Sequence, residues 1–101
     1  MPFSTLGLSP DVLPALQQAL RHAGHSQPTQ IQQRAVADIL RGRDLLALAP
    51  TGSGKTLAFA LPILQQVAQR ARTGSRTLSH LVLVPTRELA VQVAQVFTDL
   101  A

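Results

Sequence analysis

The stretch that most constrains this chain is a glycine-rich turn set between an apolar segment and a long helical one. Residues 44–49 (DLLALA) are almost entirely apolar, which is how a strand covered on both faces reads. They run straight into Pro50-Thr51-Gly52-Ser53-Gly54-Lys55-Thr56. A helical stretch follows from Lys55 towards Arg72, with a kink or break expected near Pro62. A buried strand, a tight turn and a helix in that order admit few folds other than an open sheet flanked by helices.

The remaining segments fit that architecture. Ser9-Pro10-Asp11 looks like a helix start, and Val12, Leu13, Leu16 and Leu20 follow at helical spacing. Pro14 would sit awkwardly inside a helix, so the regular turns are expected to begin near it, and Gly24 should end them. A second helix is expected over about residues 30–41. Thr29 and Gln32 stand in capping-box positions after Pro28, Ile31, Ala35, Val36, Ile39 and Leu40 form its apolar stripe, and Gly42 stops it. Residues 81–84 (LVLV) read as a second buried strand ending at Pro85. A last helix should run from Arg87 to Leu100 on Leu89, Val93, Val96, Phe97 and Leu100. The order is ααβαβα. Strand, helix and strand imply parallel strands joined by a right-handed crossover, with ligands at their carboxyl ends.

Composition adds modest constraints. The apolar fraction of 46% is that of a globular chain. There is no cysteine, hence no disulfide or thiolate metal site. The opening residues lack the blocks of a signal peptide, and no apolar run has a membrane-spanning length, so a soluble cytoplasmic protein is the expectation. A net charge of +4 suits a polyanionic partner. Nine residues are basic, yet Lys55 is the only lysine, and it sits in the glycine turn. A compact ammonium suits a tight phosphate cradle better than a planar guanidinium does.

Residues 49–56 (APTGSGKT) match the Walker A pattern with Ala49 in place of its first glycine. Gly52 and Gly54 let the backbone turn tightly, so that the amides of Thr51, Gly52, Ser53 and Gly54 approach phosphate oxygens. The helix opening at Lys55 adds its positive end. Lys55 would reach the β and γ phosphates, and the Thr56 hydroxyl would ligate Mg²⁺. The bland alternative is a chance glycine-rich connection between strand and helix. By itself this loop says only nucleoside triphosphate.

Two further motifs narrow the class. Pro85-Thr86-Arg87-Glu88-Leu89-Ala90 is identical to motif Ia of the DEAD-box RNA helicases, residues 49–56 resemble their motif I, and residues 24–32 (GHSQPTQIQ) resemble their Q motif. The opening residues 3–10 (FSTLGLSP) look like bacterial RhlE-type members. The resemblance implies a P-loop NTPase with a partial RecA-like α/β fold. It implies ATP and Mg²⁺ as cofactors, Lys55 and Thr56 as catalytic groups, and Gln32 reading adenine. It also implies Phe3 stacking on the base, and Pro85, Thr86 and Arg87 on the RNA sugar-phosphate backbone. Gln32 has a carboxamide that can donate and accept at once, matching the adenine edge, beside its plain capping role. Phe3 lies four residues further from Gly24 than the family spacing, about one helical turn. His25 stands where the family has an aromatic residue. For Arg87 and Glu88 the bland reading is a solvated first turn, with Glu88 matching the helix dipole.

Residues 1–23 are read as a lead-in and helix, and residues 24–101 as an incomplete helicase ATP-binding domain. The chain contains no D-E-A-D run and no S-A-T motif. We therefore expect a truncated product, lacking the second lobe, that does not turn over ATP alone. The competing readings are another P-loop NTPase such as a DNA helicase, or a non-catalytic remnant. His22 and His80 have no partner at metal-ligand spacing, and the scattered arginines 41, 43, 70, 72 and 76 suggest no chemistry.

Overall fold

A computed structural model describes residues 3–10, 12–22, 24–25, 27–48, 54–74 and 79–100, the side chains of Ser4 and Thr5 excepted. A short 3-10 turn, Phe3–Leu6, is followed by α1 (Leu13–His22), α2 (Gln30–Leu40), α3 (Lys55–Arg72) and α4 (Arg87–Leu100).

The starts and stops of these helices have local causes. The Ser9 carbonyl accepts from both Val12 N–H and Leu13 N–H, at 3.1 and 3.0 Å, and so launches α1. Pro14 falls in the first turn, where a missing N–H leaves no bond unmade. The helix therefore starts one residue earlier than the proline suggested. At the far end of α2, Gly42 takes a left-handed φ of 76°. That turn lets Arg43 N–H reach Asp38 O and Gly42 N–H reach Ile39 O, at 3.1 and 3.0 Å. Two carbonyls the helix would leave open are thereby closed.

The long helix α3 is not broken at Pro62. The ring removes the N–H that would have bonded to Ala58, but Leu57, Ala58, Ala60, Leu61 and Pro62 are all buried there. Packing of that stripe outweighs one absent hydrogen bond. The core gathers around it: Leu57 and Leu61 meet Phe3, Leu6, Leu16, Leu20, Val36 and Leu100. Gln65, also buried, accepts a hydrogen bond through Oε1 from Ser9 N–H and ties the lead-in to α3. Phe59 and Phe97 pack with ring centroids 6.4 Å apart, joining α3 to α4. Of the stripe expected on α4, only Leu100 is fully buried, while Leu89 is exposed. The carboxyl half of α4 packs on the core and its amino half stands clear of it.

The two segments expected as buried parallel strands depart most from expectation. Among the described residues there is no strand: residues 44–48 and 81–84 make no ladder. A strand needs a neighbour for its N–H and C=O groups, and neither segment has one here. Their side chains still alternate with period two. Leu46, Leu48, Leu81 and Leu83 are 84%, 84%, 82% and 84% exposed, whereas Ala47 and Val84 are half-covered. Leu45 and Ala47 line clefts against Ile31 and Ala35 of α2, so one side of this segment meets the helices. The opposite side is open.

We expect Leu61→Ala to lower unfolding free energy by about 2–5 kcal/mol. Leu83→Ala should stay within about 0.5 kcal/mol of the parent. Urea denaturation followed by circular dichroism measures both; equal costs would mean that the leucine row on residues 81–84 is covered.

Candidate nucleotide site

The site centres on the amino end of α3. Gly54 precedes the helix with φ 91°, a left-handed conformation. Lys55 opens the helix and is exposed, and Thr56 is half-buried. The first amides of a helix have no intrahelical acceptor, so this end presents free N–H donors and a partial positive charge. There is no acidic residue in the first turn of α3, and among the described residues Lys55 makes no ion pair. A cation on the positive end of a helix is electrostatically costly unless an anion joins it. Thr51, Gly52 and Ser53, named from the sequence as loop contacts, lie outside the described residues.

The amino end of α2 is wedged against this turn by one side chain. Gln32 is 1% exposed. Its Oε1 accepts from Thr29 N–H at 3.0 Å, and its Nε2 donates to the Gly54 carbonyl at 3.1 Å. The same carbonyl accepts from Ala58 N–H at 3.2 Å inside α3. Thr29 and Gln32 are thus the two ends of a capping box. The Thr29 side chain faces the N3 backbone amide and the Gln32 side chain the N-cap amide, the reciprocal arrangement of that motif. The capping role read from the sequence is real. The bond to Gly54, across 22 residues, is an addition that no local pattern announces.

The junction leaves no room at Gly54. A Cβ there would stand 2.5 Å from Gln32 Nε2 and 2.7 Å from Thr29 Oγ1. Glycine is required twice, for the left-handed turn and for this approach. Beside it lies a cleft of about 390 Å³ lined by Lys55, Ala58 and Phe59 of α3 and by Ile31, Ala35 and Ile39 of α2.

The second candidate locus is the start of α4. Thr86 acts as its N-cap, with Oγ1 accepting from Leu89 N–H at 3.2 Å and its carbonyl accepting from Ala90 N–H at 3.1 Å. Accepting leaves the hydroxyl proton free to be donated outward. Pro85, Thr86 and Arg87 are all exposed. Phe3, in contrast, is 5% exposed and belongs to the core cluster, so packing is the role realised here.

Among the described residues no group of His, Cys, Asp or Glu could hold a metal ion. Among the described residues at this turn, the donor suited to Mg²⁺ is the Thr56 hydroxyl, a hard oxygen. It fits an ion whose other ligands are phosphate oxygens and water. No described helix is long and apolar enough to cross a membrane. A further polar contact escaped sequence reading. The Gln66 carboxamide oxygen can only accept, so His80 Nε2 donates to it at 2.7 Å, and His80 Nδ1 accepts from the Ser79 hydroxyl at 2.6 Å.

Comparison with known proteins places this geometry in context. Residues 29–101 match the model of the DEAD/DEAH box helicase family. The chain is 48% identical over 95 residues to the ATP-dependent RNA helicase DBP9 of Pyricularia oryzae, covering 92% of this chain and 14% of that protein. It is 45% identical over 97 residues to the ATP-dependent RNA helicase DeaD of Escherichia coli K12, covering 96% and 14%. The chain therefore spans about one seventh of the length of these relatives. The crystal structure of a DEAD box protein from the hyperthermophile Methanococcus jannaschii superposes with a TM-score of 0.81 at 37% identity, over 99% of this chain and 25% of that one.

Gly54→Ala should destabilise the chain by about 1–3 kcal/mol, from left-handed strain and the clash together. The cost should shrink when Gln32→Ala removes one clashing group. A double-mutant thermal unfolding cycle measures this coupling; strict additivity would mean the two residues do not touch.

Proposed function

Because the chain belongs to the DEAD/DEAH box helicase family and carries part of its RecA-like α/β fold, we propose that it is the ATP-binding front of an RNA helicase lobe. One observation carries this reading. Gln32 joins the end of the glycine turn to α2 beside a helix end that has no acidic residue in its first turn and opens with the chain's only lysine. The sequence identity to ATP-dependent RNA helicases supports it further.

In this reading the amides of Thr51, Gly52, Ser53 and Gly54 wrap the phosphates, with the α3 end directed at them. Lys55 binds the β and γ oxygens, and Thr56 holds Mg²⁺, which when bound neutralises phosphate charge. Gln32 distinguishes adenine from guanine by offering an acceptor and a donor together. Pro85, Thr86 and Arg87 hold an RNA backbone through the open end of α4, the Thr86 proton and the guanidinium. We place the opening residues 3–10 with bacterial RhlE-type members, an assignment that a tree of full-length relatives tests. The 101 residues include no acidic strand end to hold the metal ion and direct water, so binding without turnover is expected of the chain by itself.

Titration with a fluorescent ATP analogue and Mg²⁺ tests the assignment. Lys55→Ala should weaken binding about tenfold or more, since a hydrogen bond to a charged group contributes about 1.5–3 kcal/mol. Unchanged binding would overturn the phosphate role. For RNA, Thr86→Ala and Arg87→Ala should weaken single strands of any sequence alike. Arg87→Ala should also lower the salt-dependence slope by about 0.7. A changed base preference would exclude a backbone contact.

A further inference from the structure

The carboxyl end of α3 carries a second polar feature, remote from the nucleotide turn. A cleft of about 540 Å³ lies between the last turns of this helix and the residues that lead into the 81–84 segment. Gln66, Gln69, Arg70, Thr73, Ser79 and His80 line it, and none of them is acidic or apolar. The loop side of the cleft is pinned to the helix, because His80 Nε2 donates to Gln66 Oε1 at 2.7 Å and the Ser79 hydroxyl donates to His80 Nδ1 at 2.6 Å. With its oxygen so engaged, the Gln66 carboxamide keeps its Nε2 amide as a donor. Arg70 and Arg72 close α3 on this side, and from residue 45 to residue 87 the sequence contains no Asp or Glu. The two guanidiniums match the negative end of the helix dipole. That end carries only about half an elementary charge against their two, so the stretch stays positive.

We propose that this cleft is a second contact for the RNA backbone, taking up the strand beyond Thr86 and Arg87. The proposal rests on the reading of that locus given above. His80 and Thr86 are six positions apart in the chain, so they lie no more than about 22 Å from each other. Six or seven stacked nucleotides, at about 3.4 Å each, cover that distance. Arg70 supplies an ionic contact to a phosphate, and the Gln66 and Gln69 amides supply neutral donors. Such groups respond to charge and strand length rather than to base identity. A lipid surface fits less well, because a membrane-binding face inserts apolar side chains and this cleft has none. Lys55 and Arg70 stand fifteen residues apart on α3, about 22 Å along its axis. The contact therefore acts on long RNA and leaves ATP affinity alone.

The test follows fluorescence anisotropy of labelled single-stranded RNAs, four and twenty nucleotides long, with the full chain over a series of salt concentrations. Arg70→Gln and, independently, Gln69→Glu should weaken the twenty-nucleotide strand about two- to fivefold, the worth of one exposed ion pair. Arg70→Gln should also lower its salt-dependence slope by about 0.7, and Arg70→Lys should restore both. Neither variant should alter binding of the four-nucleotide strand or of ATP with Mg²⁺, whereas Arg87→Ala should weaken both strands. Parent-like affinity for the long strand in Arg70→Gln and Gln69→Glu overturns the proposal. A loss shared equally by the two lengths, or by ATP, assigns these residues to ordinary local structure and overturns it as well. So does a loss confined to phosphatidylserine vesicles, which marks a membrane contact instead. If Arg87→Ala leaves both strands unaffected, the reading of the α4 start fails, and the extension falls with it.

Discussion

The contact between Gln32 and the Gly54 carbonyl is the constraint on which the arrangement of this molecule turns. It is a single hydrogen bond of 3.1 Å, but it joins two helix amino ends that the chain separates by a loop, an apolar segment and the phosphate turn. Because Gln32 also holds Thr29 N–H, the register of α2 is set against the residue that caps the amino end of α3 rather than against a point midway along it. The packing of Val36 with Leu57 and Leu61 then follows as a consequence of that alignment. A low local dielectric strengthens such a bond, and the same burial penalises any polar neighbour left out of it.

Around this anchor, α3 serves as the spine. Its buried stripe is continuous through Pro62, and it touches the lead-in through Gln65, α2 through the apolar core, and α4 through Phe59. The helices need nothing further for their layout. The apolar segments do. Each keeps the alternating exposure of a strand while lacking the hydrogen-bonded neighbour that defines one. The superposition on a larger DEAD box structure shows that helices and segments together occupy family positions without any ladder among the described residues. Among the described residues, helix-to-helix packing alone sets the frame.

Local chemistry explains which parts were readable in advance. The capping-box pair Thr29 and Gln32, the stop at Gly42 and the helix of Arg87–Leu100 depend on residues within a few positions of each other. Those show in the sequence directly. The kink assigned to Pro62 did not break α3, because the ring's local cost is set against tertiary burial that no window of sequence displays. Strand pairing is non-local by nature, so apolar runs at 44–49 and 81–84 looked identical to paired strands. The placement of Lys55 and Thr56 at the start of α3 was legible from glycine spacing, and that of Thr86 from its position before a helix, although its capping bond to Leu89 was not foreseen. The union of Gln32 with Gly54 joins distant positions, and only packing reveals it. Phe3 shows the ambiguity of one aromatic ring near a binding motif, which suits a core as well as a ligand; here it packs in the core.

Lys55 sits where the peptide dipoles of α3 already concentrate positive potential, with no acidic residue in the first turn of the helix and, among the described residues, no ion pair to relieve it. Arg87 repeats the placement on α4, moderated there by Glu88. Repulsion of this kind is stored in the folded state and vanishes on unfolding. Small oxyanions such as phosphate or sulfate should consequently behave as surrogate ligands, raising the melting point with the logarithm of their concentration once it exceeds the dissociation constant at these helix ends. The choice of buffer therefore sets how robust the molecule looks in a thermal scan.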